Sequence, residues 1–270
     1  MASRIGEVGE HLRAWRLRRR MSQLDLAVEA EISTRHLSFL ETGRSRPSRD
    51  MLLHLSERLD VPLRERNHLL LAAGFAPLYP QRDLADPAFE PARAAIERLL
   101  AAHEPYPALA VDRHWTLLAA NGAVGAFLAG VPEAMLAPPV NVLRLSLHPD
   151  GLAPRIVNLP EWRAHILHRL RHQQRASGDP ALEALAEELA AYPARSSAQP
   201  TRLESPLDSI LVPLRLATPQ GEISLISTTT MFGTPLDVTL AEIALETFFP
   251  ADAESEKLLR EIAAQAGEGN

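Results

Sequence analysis

Apolar residues recur at helical spacing through the first part of the chain. Val8, Leu12 and Trp15 form the inward side of a helix predicted over residues 9–20. Ser22 suits the N-cap of a second helix, because its hydroxyl can accept from an unpaired N–H of the first turn. In that helix Leu24, Leu26, Ala27 and Ala30 fall near one face. Ser33 opens a third helix over residues 34–41, with Leu37 and Leu40 inward. Gly43 closes it, since glycine accepts the left-handed conformation at helix ends. Ser48 caps a fourth helix, 50–59, with Leu52, Leu55, Ser56 and Leu59 inward. Pro62 opens a fifth in a first-turn position that proline tolerates, and Gly74 ends it.

Pro77, Pro80, Pro87 and Pro91 then forbid a continuous helix and predict a surface linker. Pro91 starts another helix, after which the periodicity changes. Residues 107–111 and 115–120 are short apolar runs separated by Asp112-Arg113-His114, a hairpin arrangement. Asn121 is placed to cap a short helix, 140–147 reads as a further short helix or turn, and 159–176 as a long helix. Trp162, Ile166, Leu167 and Leu170 face inward on that long helix. Pro180 opens a second long helix, and Ser196-Ser197-Ala198-Gln199 breaks the periodicity. Strands are predicted over 209–217, 222–232 and 237–249, with turns at Gln220-Gly221 and Thr234-Pro235. A helix over 253–266 closes the chain.

On a helical wheel, Arg35, Ser38, Phe39 and Thr42 lie opposite Leu37 and Leu40. An exposed phenylalanine and arginine beside small hydroxyls make a poor solvent surface but suit a DNA major groove. Arginine can pair with guanine O6 and N7, and an apolar ring can touch a thymine methyl. Arg44, Arg46 and Arg49 follow and suit phosphates.

Residues 22–47 (SQLDLAVEAEISTRHLSFLETGRSRP) resemble the Cro/repressor-type helix-turn-helix of the XRE family of bacterial regulators. The matching residues are Ser22-Gln23, Leu26-Ala27, Ile32-Ser33, Leu40-Glu41, Gly43-Arg44 and Pro47-Ser48. The resemblance implies double-stranded DNA as partner and places Gln23 against a phosphate, with Thr34, Arg35 and Phe39 reading bases. The DNA-binding candidates are Gln23, Ser33, Thr34, Arg35, His36, Ser38, Phe39, Arg44 and Arg46. It also implies a buried ion pair between Arg16 and Glu41. The chain departs from the family at Glu31, where members usually carry Gly or Asn. A non-glycine residue there costs about 1 kcal/mol if φ is positive.

Two strands, a helical block and three antiparallel strands are what a PAS-like domain presents. DRHWTLLAANGAVGAFL, NVLRLSLHPDGL and TPLDVTLAEIALETFFPADAESEKLL are similar to the ligand-binding domain of MmyB-like transcription regulators. That resemblance spans about 91–264 and implies a PAS-like sensor; the family's sensor is associated with fatty-acid-like ligands. The expected organisation is a five-helix DNA-binding domain (1–75), a Pro-rich linker (76–90) and a PAS-like antiparallel sheet covered by helices (91–266).

Composition sharpens this division. The 270 residues suffice for two domains, and the absence of cysteine excludes disulfide and thiolate chemistry. Residues 1–82 hold 14 Arg against 10 Asp and Glu; the rest holds 14 basic against 24 acidic residues. A basic N-terminal part on an acidic protein fits DNA binding confined to that part. No apolar run is long enough for a bilayer and no signal-peptide core is present, so a cytoplasmic protein without membrane contact is expected.

Enzymatic chemistry finds no support: no phosphate-binding glycine loop and no G-x-S-x-G elbow is present. Thr228-Thr229-Thr230 reads as part of a strand, and His148-Pro149-Asp150-Gly151 as a turn. His165, His168 and His172 have spacings that put them on one helix face, but no partner cluster accompanies them. An Arg-rich solvated or dimer-contacting face is the expectation there, with no metal and no cofactor. A curved sheet under helices leaves an apolar concavity. Trp115, Phe127, Trp162, Met231 and Phe232 are its lining candidates; Arg144, His148 and Arg163 are its polar candidates for fixing a carboxylate or other acceptor, such as an acidic ligand head, Arg144 foremost. The function expected is a dimeric regulator of transcription responding to a small apolar, fatty-acid-like ligand. The alternative is a C-terminal domain that only dimerises or meets a protein partner.

Overall fold

The computed structural model describes residues 2–193, 211–233 and 235–268. Its Cα framework divides into two compact units. One is residues 1–83 with 175–178 and 234–241; the other is 84–174, 179–233 and 242–270.

Five helices build the first unit: α1 (Ala2–Arg18), α2 (Gln23–Glu29), α3 (Thr34–Glu41), α4 (Arg49–Arg58) and α5 (Leu63–Ala72). Local chemistry sets their ends. Ser22 accepts from Asp25 N while the Asp25 carboxylate accepts from Ser22 N, a reciprocal capping box. Ser33 and Ser48 accept from His36 N and Met51 N. Gly43 and Gly74 take φ of 69° and 83°. Val8, Leu12, Trp15, Leu37, Leu40, Leu52, Leu55 and Leu59 are buried in one cluster. Gly9 brings α1 against the end of α3: a Cβ there would lie 2.5 Å from the Leu40 and Glu41 carbonyl oxygens.

Several expectations need correction here. α1 begins at Ala2 and ends at Arg18, before Arg20 turns to φ 58°. Leu24 is 61% exposed, because α2 sends only Leu26 and Ala27, with the cap residue Ala30, inward. Pro62 stands at the N-cap of α5, one position before the first turn. The linker begins tied down. Buried Asn67 of α5 accepts from Leu78 N (2.9 Å) and Tyr79 N (3.1 Å) and donates to Tyr79 O (2.7 Å).

The second unit contributes a five-stranded sheet. Its strands are β1 (Ala108–Val111), β2 (Leu117–Ala120), β3 (Leu214–Thr218), β4 (Gly221–Met231) and β5 (Ala244–Pro250). All pairings are antiparallel in the order β2-β1-β5-β4-β3. The first and last strands in sequence are thereby neighbours, with Ala110 opposite Leu245. Alternation puts Leu214, Leu216, Ile223 and Leu225 on the buried face. α6 (Glu90–Ala102) precedes the sheet. Between β2 and β3 lie α7 (Gly122–Phe127), α8 (Glu133–Leu136), α9 (Val142–Leu147), α10 (Leu159–Ser177) and α11 (Pro180–Ala191). α12 (Val238–Ala241), which belongs to the first unit, precedes β5, and α13 (Ala253–Glu268) follows the last strand. This is the antiparallel sheet with covering helices expected from the sequence.

Two local readings fail. Asn121 caps no helix with its side chain; it accepts from Ala108 N (3.0 Å) and donates to Tyr106 O (2.7 Å) and Leu100 O (3.2 Å). The Glu104 carboxylate receives Gly122 N instead (2.8 Å). The strand expected over 237–249 begins only at Ala244. Asp237 accepts from Thr239 N (2.8 Å), and this competing local bond starts the α12 turn. The expected break at 196–199, the start of the 209–217 strand and Thr234 lie outside the described residues.

Candidate DNA-binding face and apolar cavity

The turn between α2 and α3 passes through Glu31 at φ 54°, the left-handed region. It sets α3 with Leu37 and Leu40 inward and Ser33, Thr34 and Arg35 exposed. His36, Ser38 and Phe39 are half-buried. The Phe39 ring is therefore less exposed than its wheel position suggests. Arg35 and Arg44 lie over it, their guanidinium carbons 5.3 and 6.0 Å from its centre. The ring thus holds two cations beside the exposed start of α3. Arg46 differs from Arg44: it donates to Ala73 O (3.0 Å) and lies 5.9 Å from the Phe75 ring. Arg19 is bound to the α4 terminus, at Leu59 O (2.7 Å) and Asp60 O (2.6 Å).

Beneath this face, Arg16 grips Glu41 with two parallel bonds, Nε to Oε1 at 2.6 Å and Nη2 to Oε2 at 2.8 Å. Both residues are buried. Gln23 Nε2 also donates to Glu41 Oε2 (2.8 Å), and Arg16 Nη1 donates to Met21 O (2.8 Å). The Gln23 amide is therefore a partner of Glu41 as well as a candidate phosphate contact. Burial pushes the Glu41 carboxyl up, but the bonds from Arg16 and Gln23 and the Arg16 charge outweigh it and hold the group below the usual carboxylate range. The Glu41 bond holds Arg16 above its ordinary value, against burial.

In the second unit a cavity of about 220 Å³ lies between the sheet and the helices α7, α9 and α10. That exceeds the ~150 Å³ of an apolar cavity that stays dry and takes benzene. Leu109 and Leu117 of the first hairpin, Leu225 and Phe248 of β4 and β5, and Phe127 and Trp162 of the helices contribute to its walls. Trp115 joins them from the hairpin turn at φ 67°, an unusual conformation for a bulky residue. Its indole Nε1 donates to Gln173 Oε1 (2.9 Å), and its ring lies 4.8 Å from the Arg169 guanidinium carbon. Polar side chains among the lining residues are Ser146, Arg169 and Glu246. Arg169 donates to Glu246 at 2.8 and 3.3 Å and to Thr229 Oγ1 (2.8 Å), whose hydroxyl donates to Glu246 (2.6 Å). Trp162 Nε1 donates to Ser146 Oγ (3.1 Å).

Trp115, Phe127 and Trp162 thus line the cavity as expected from the sequence, whereas five other candidates stand outside it. Met231, at the end of β4, is 59% exposed, and Phe232 follows it beyond the strand. Arg144 leaves the apolar face of α9 and pairs bidentately with Glu188 of α11, both bonds 2.8 Å. His148 packs edge-on against Tyr192 (5.1 Å). Burial and the bond to Glu188 push that tyrosine up to about 12. Arg163 reaches Ala190 O. These polar residues fasten α9 and α10 to α11. The cavity's charged pair was missed because Arg169 and Glu246 are 77 residues apart and Arg169 sits among solvated arginines. A single acidic residue, Glu246, within the otherwise uncharged run of residues 244–249 was the available hint. His165 stacks on Trp162 (5.4 Å, 26°) and is held below its ordinary value by burial and by the charges of Arg169 and His168. Among the described residues, no three His, Asp or Glu side chains group as a metal site needs.

Residues 92–262 match the MmyB-like transcription regulator ligand binding domain, more than half of the chain. The chain belongs to this family. Residues 12–66 match the helix-turn-helix family model, so the protein is a DNA-binding transcription regulator with an MmyB-like domain behind its helix-turn-helix. Neither matched family is an enzymatic one. No curated protein matches the chain. Among the described residues no helix is long and apolar enough to cross a membrane.

Proposed function

We propose that the protein binds a partly palindromic operator as a homodimer in the cytoplasm. Its MmyB-like domain takes a small apolar molecule, and that molecule changes operator affinity. The observation that carries the reading is the apolar cavity walled by Trp115, Phe127, Trp162 and the sheet, in the same chain as a helix-turn-helix. Residues 1–75 form the DNA-binding domain, 76–90 the linker and 91–266 the sensor. Thr34, Arg35 and Phe39 read bases, with Ser33, His36 and Ser38 beside them, and Gln23, Arg44 and Arg46 hold phosphates. The exposure of Ser33, Thr34, Arg35 and Arg44 supports this assignment, as do the two arginines gathered at Phe39.

The test is selection of the operator from random duplex DNA, followed by affinity measurements with and without extracted cellular lipid. The reading expects two half-sites about one helical turn apart and a change of affinity with lipid. A single half-site bound by a monomer would overturn dimeric recognition. A lipid-insensitive affinity, together with no small molecule entering the cavity, would leave the MmyB-like domain as a dimerisation or protein-contact module.

A further inference from the structure

We infer that Phe39 is a positioning residue for operator recognition. Beyond the base contact proposed for it, its ring holds the Arg35 guanidinium by one face and leaves the guanidinium edge free to read a base. This rests on the proposed reading of DNA by α3 and adds how Arg35 is held there.

Phe39 is half-buried, yet among the described residues it is not one of the side chains packed on the core of the helical unit. Its ring is met instead by two cations, Arg35 at 5.3 Å and Arg44 at 6.0 Å. Arg35 stands one turn earlier on α3, and residues four apart on a helix are neighbours. The Phe39 backbone gathers the following loop as well. Its carbonyl accepts from both Arg44 N (2.8 Å) and Ser45 N (3.0 Å). One residue therefore fixes the loop that carries Arg44 through its carbonyl, and the Arg35 side chain through its ring.

Both arginines keep their donors. Arg16, Arg19 and Arg46 spend theirs on Glu41 and on backbone carbonyls. Among the described residues Arg35 and Arg44 have no such partner. A guanidinium carries its N–H groups in its plane, whereas an aromatic ring attracts it by the face. The ring thus restricts Arg35 without using a donor. Guanine offers O6 and N7 to two parallel N–H groups of that free edge. A long side chain loses rotamer freedom when it docks, and a side chain already restrained loses less on binding.

The experiment uses the full-length protein and its selected operator. Arg35→Ala first identifies the base pair that Arg35 reads, as the position where preference relaxes. Phe39→Leu keeps an apolar contact but removes the ring. It should lower discrimination at that same base pair by about threefold or more. In the Arg35→Ala background the same replacement should change discrimination there by less than about twofold, because its effect passes through Arg35. A ring-fluorinated phenylalanine at position 39 barely alters shape but weakens the negative face of the ring, and should reproduce the loss. Phe39→Tyr keeps the face and should keep the wild-type preference. An unchanged preference at the Arg35 base pair, or an equal loss with and without Arg35, would overturn the inference while leaving recognition by α3 intact. An Arg35→Ala protein that relaxes no base position would remove the reading of DNA by Arg35 itself. Should Phe39→Leu not fold, the fluorinated protein decides.

Discussion

At the scale of single residues, Arg16 and Glu41 show how a local identity becomes fold stability. Two buried charges give up their water, and two parallel bonds at 2.6 and 2.8 Å offset that loss only while both are present. Glu41→Ala strands the Arg16 guanidinium and should cost about 3–5 kcal/mol in denaturant unfolding of the helical unit. The pH dependence has a defined sign. Glu41 is held below its unfolded value, so its contribution is complete above the ordinary carboxylate range, about pH 4, and is lost as pH falls through the lower folded value. Acid unfolding followed by circular dichroism should therefore be less steep below pH 4 in Glu41→Gln than in wild type. Arg144 makes the opposite case. Its partner Glu188 and its own side chain are 37% and 48% exposed. Arg144→Ala should cost no more than about 1 kcal/mol and leave ligand affinity unchanged. A tenfold loss of ligand affinity in that variant would return Arg144 to the cavity.

At the scale of elements, what was legible was what neighbouring residues decide. Ser22, Ser33 and Ser48 cap three helices through bonds to residues three positions on, so periodicity and cap residue together located α2, α3 and α4. β1 and β2 were legible for a similar reason: Asp112 accepts from His114 N and Thr116 N, both 2.8 Å, closing the turn between two apolar runs. Failures occurred where a distant partner outweighed local preference. Asn121 looked like a cap but ties the start of β1 to the end of α6. Arg169 looked solvated but crosses to β5. Nor was Gly9 noticed, because its role is visible only when α3 stands 2.5 Å from where its Cβ would be. Glu31 tests the balance directly. At φ 54° it bears left-handed strain that glycine would not. Glu31→Gly relieves this at the expense of a more flexible unfolded chain, leaving a net gain of about 0.5–1 kcal/mol. Thermal unfolding of the two proteins measures it; a less stable glycine variant would mean that the Glu31 side chain makes a compensating contact.

For the whole molecule, the proposed function requires that a ligand in one domain change DNA affinity in another. A ligand shifts an equilibrium only through a difference in its affinity for the two states. If lipid weakens operator binding by a given factor, the operator must weaken lipid binding by the same factor. Couplings of this kind typically amount to about 5–150-fold. Trp115 is the residue through which to test it, because it lines the cavity and fixes Gln173 and Arg169 of α10 around its ring. It belongs to the MmyB-like domain, outside the matched helix-turn-helix. Trp115→Ala should therefore leave ligand-free operator affinity within about twofold of wild type and reduce or abolish the lipid-induced change. Operator affinity by fluorescence anisotropy, for both proteins with and without lipid extract, gives all four quantities. A lipid response of undiminished size in a folded Trp115→Ala protein would mean that the signal does not pass through this cavity. A lost response with ligand-free operator binding intact would place the sensor at Trp115.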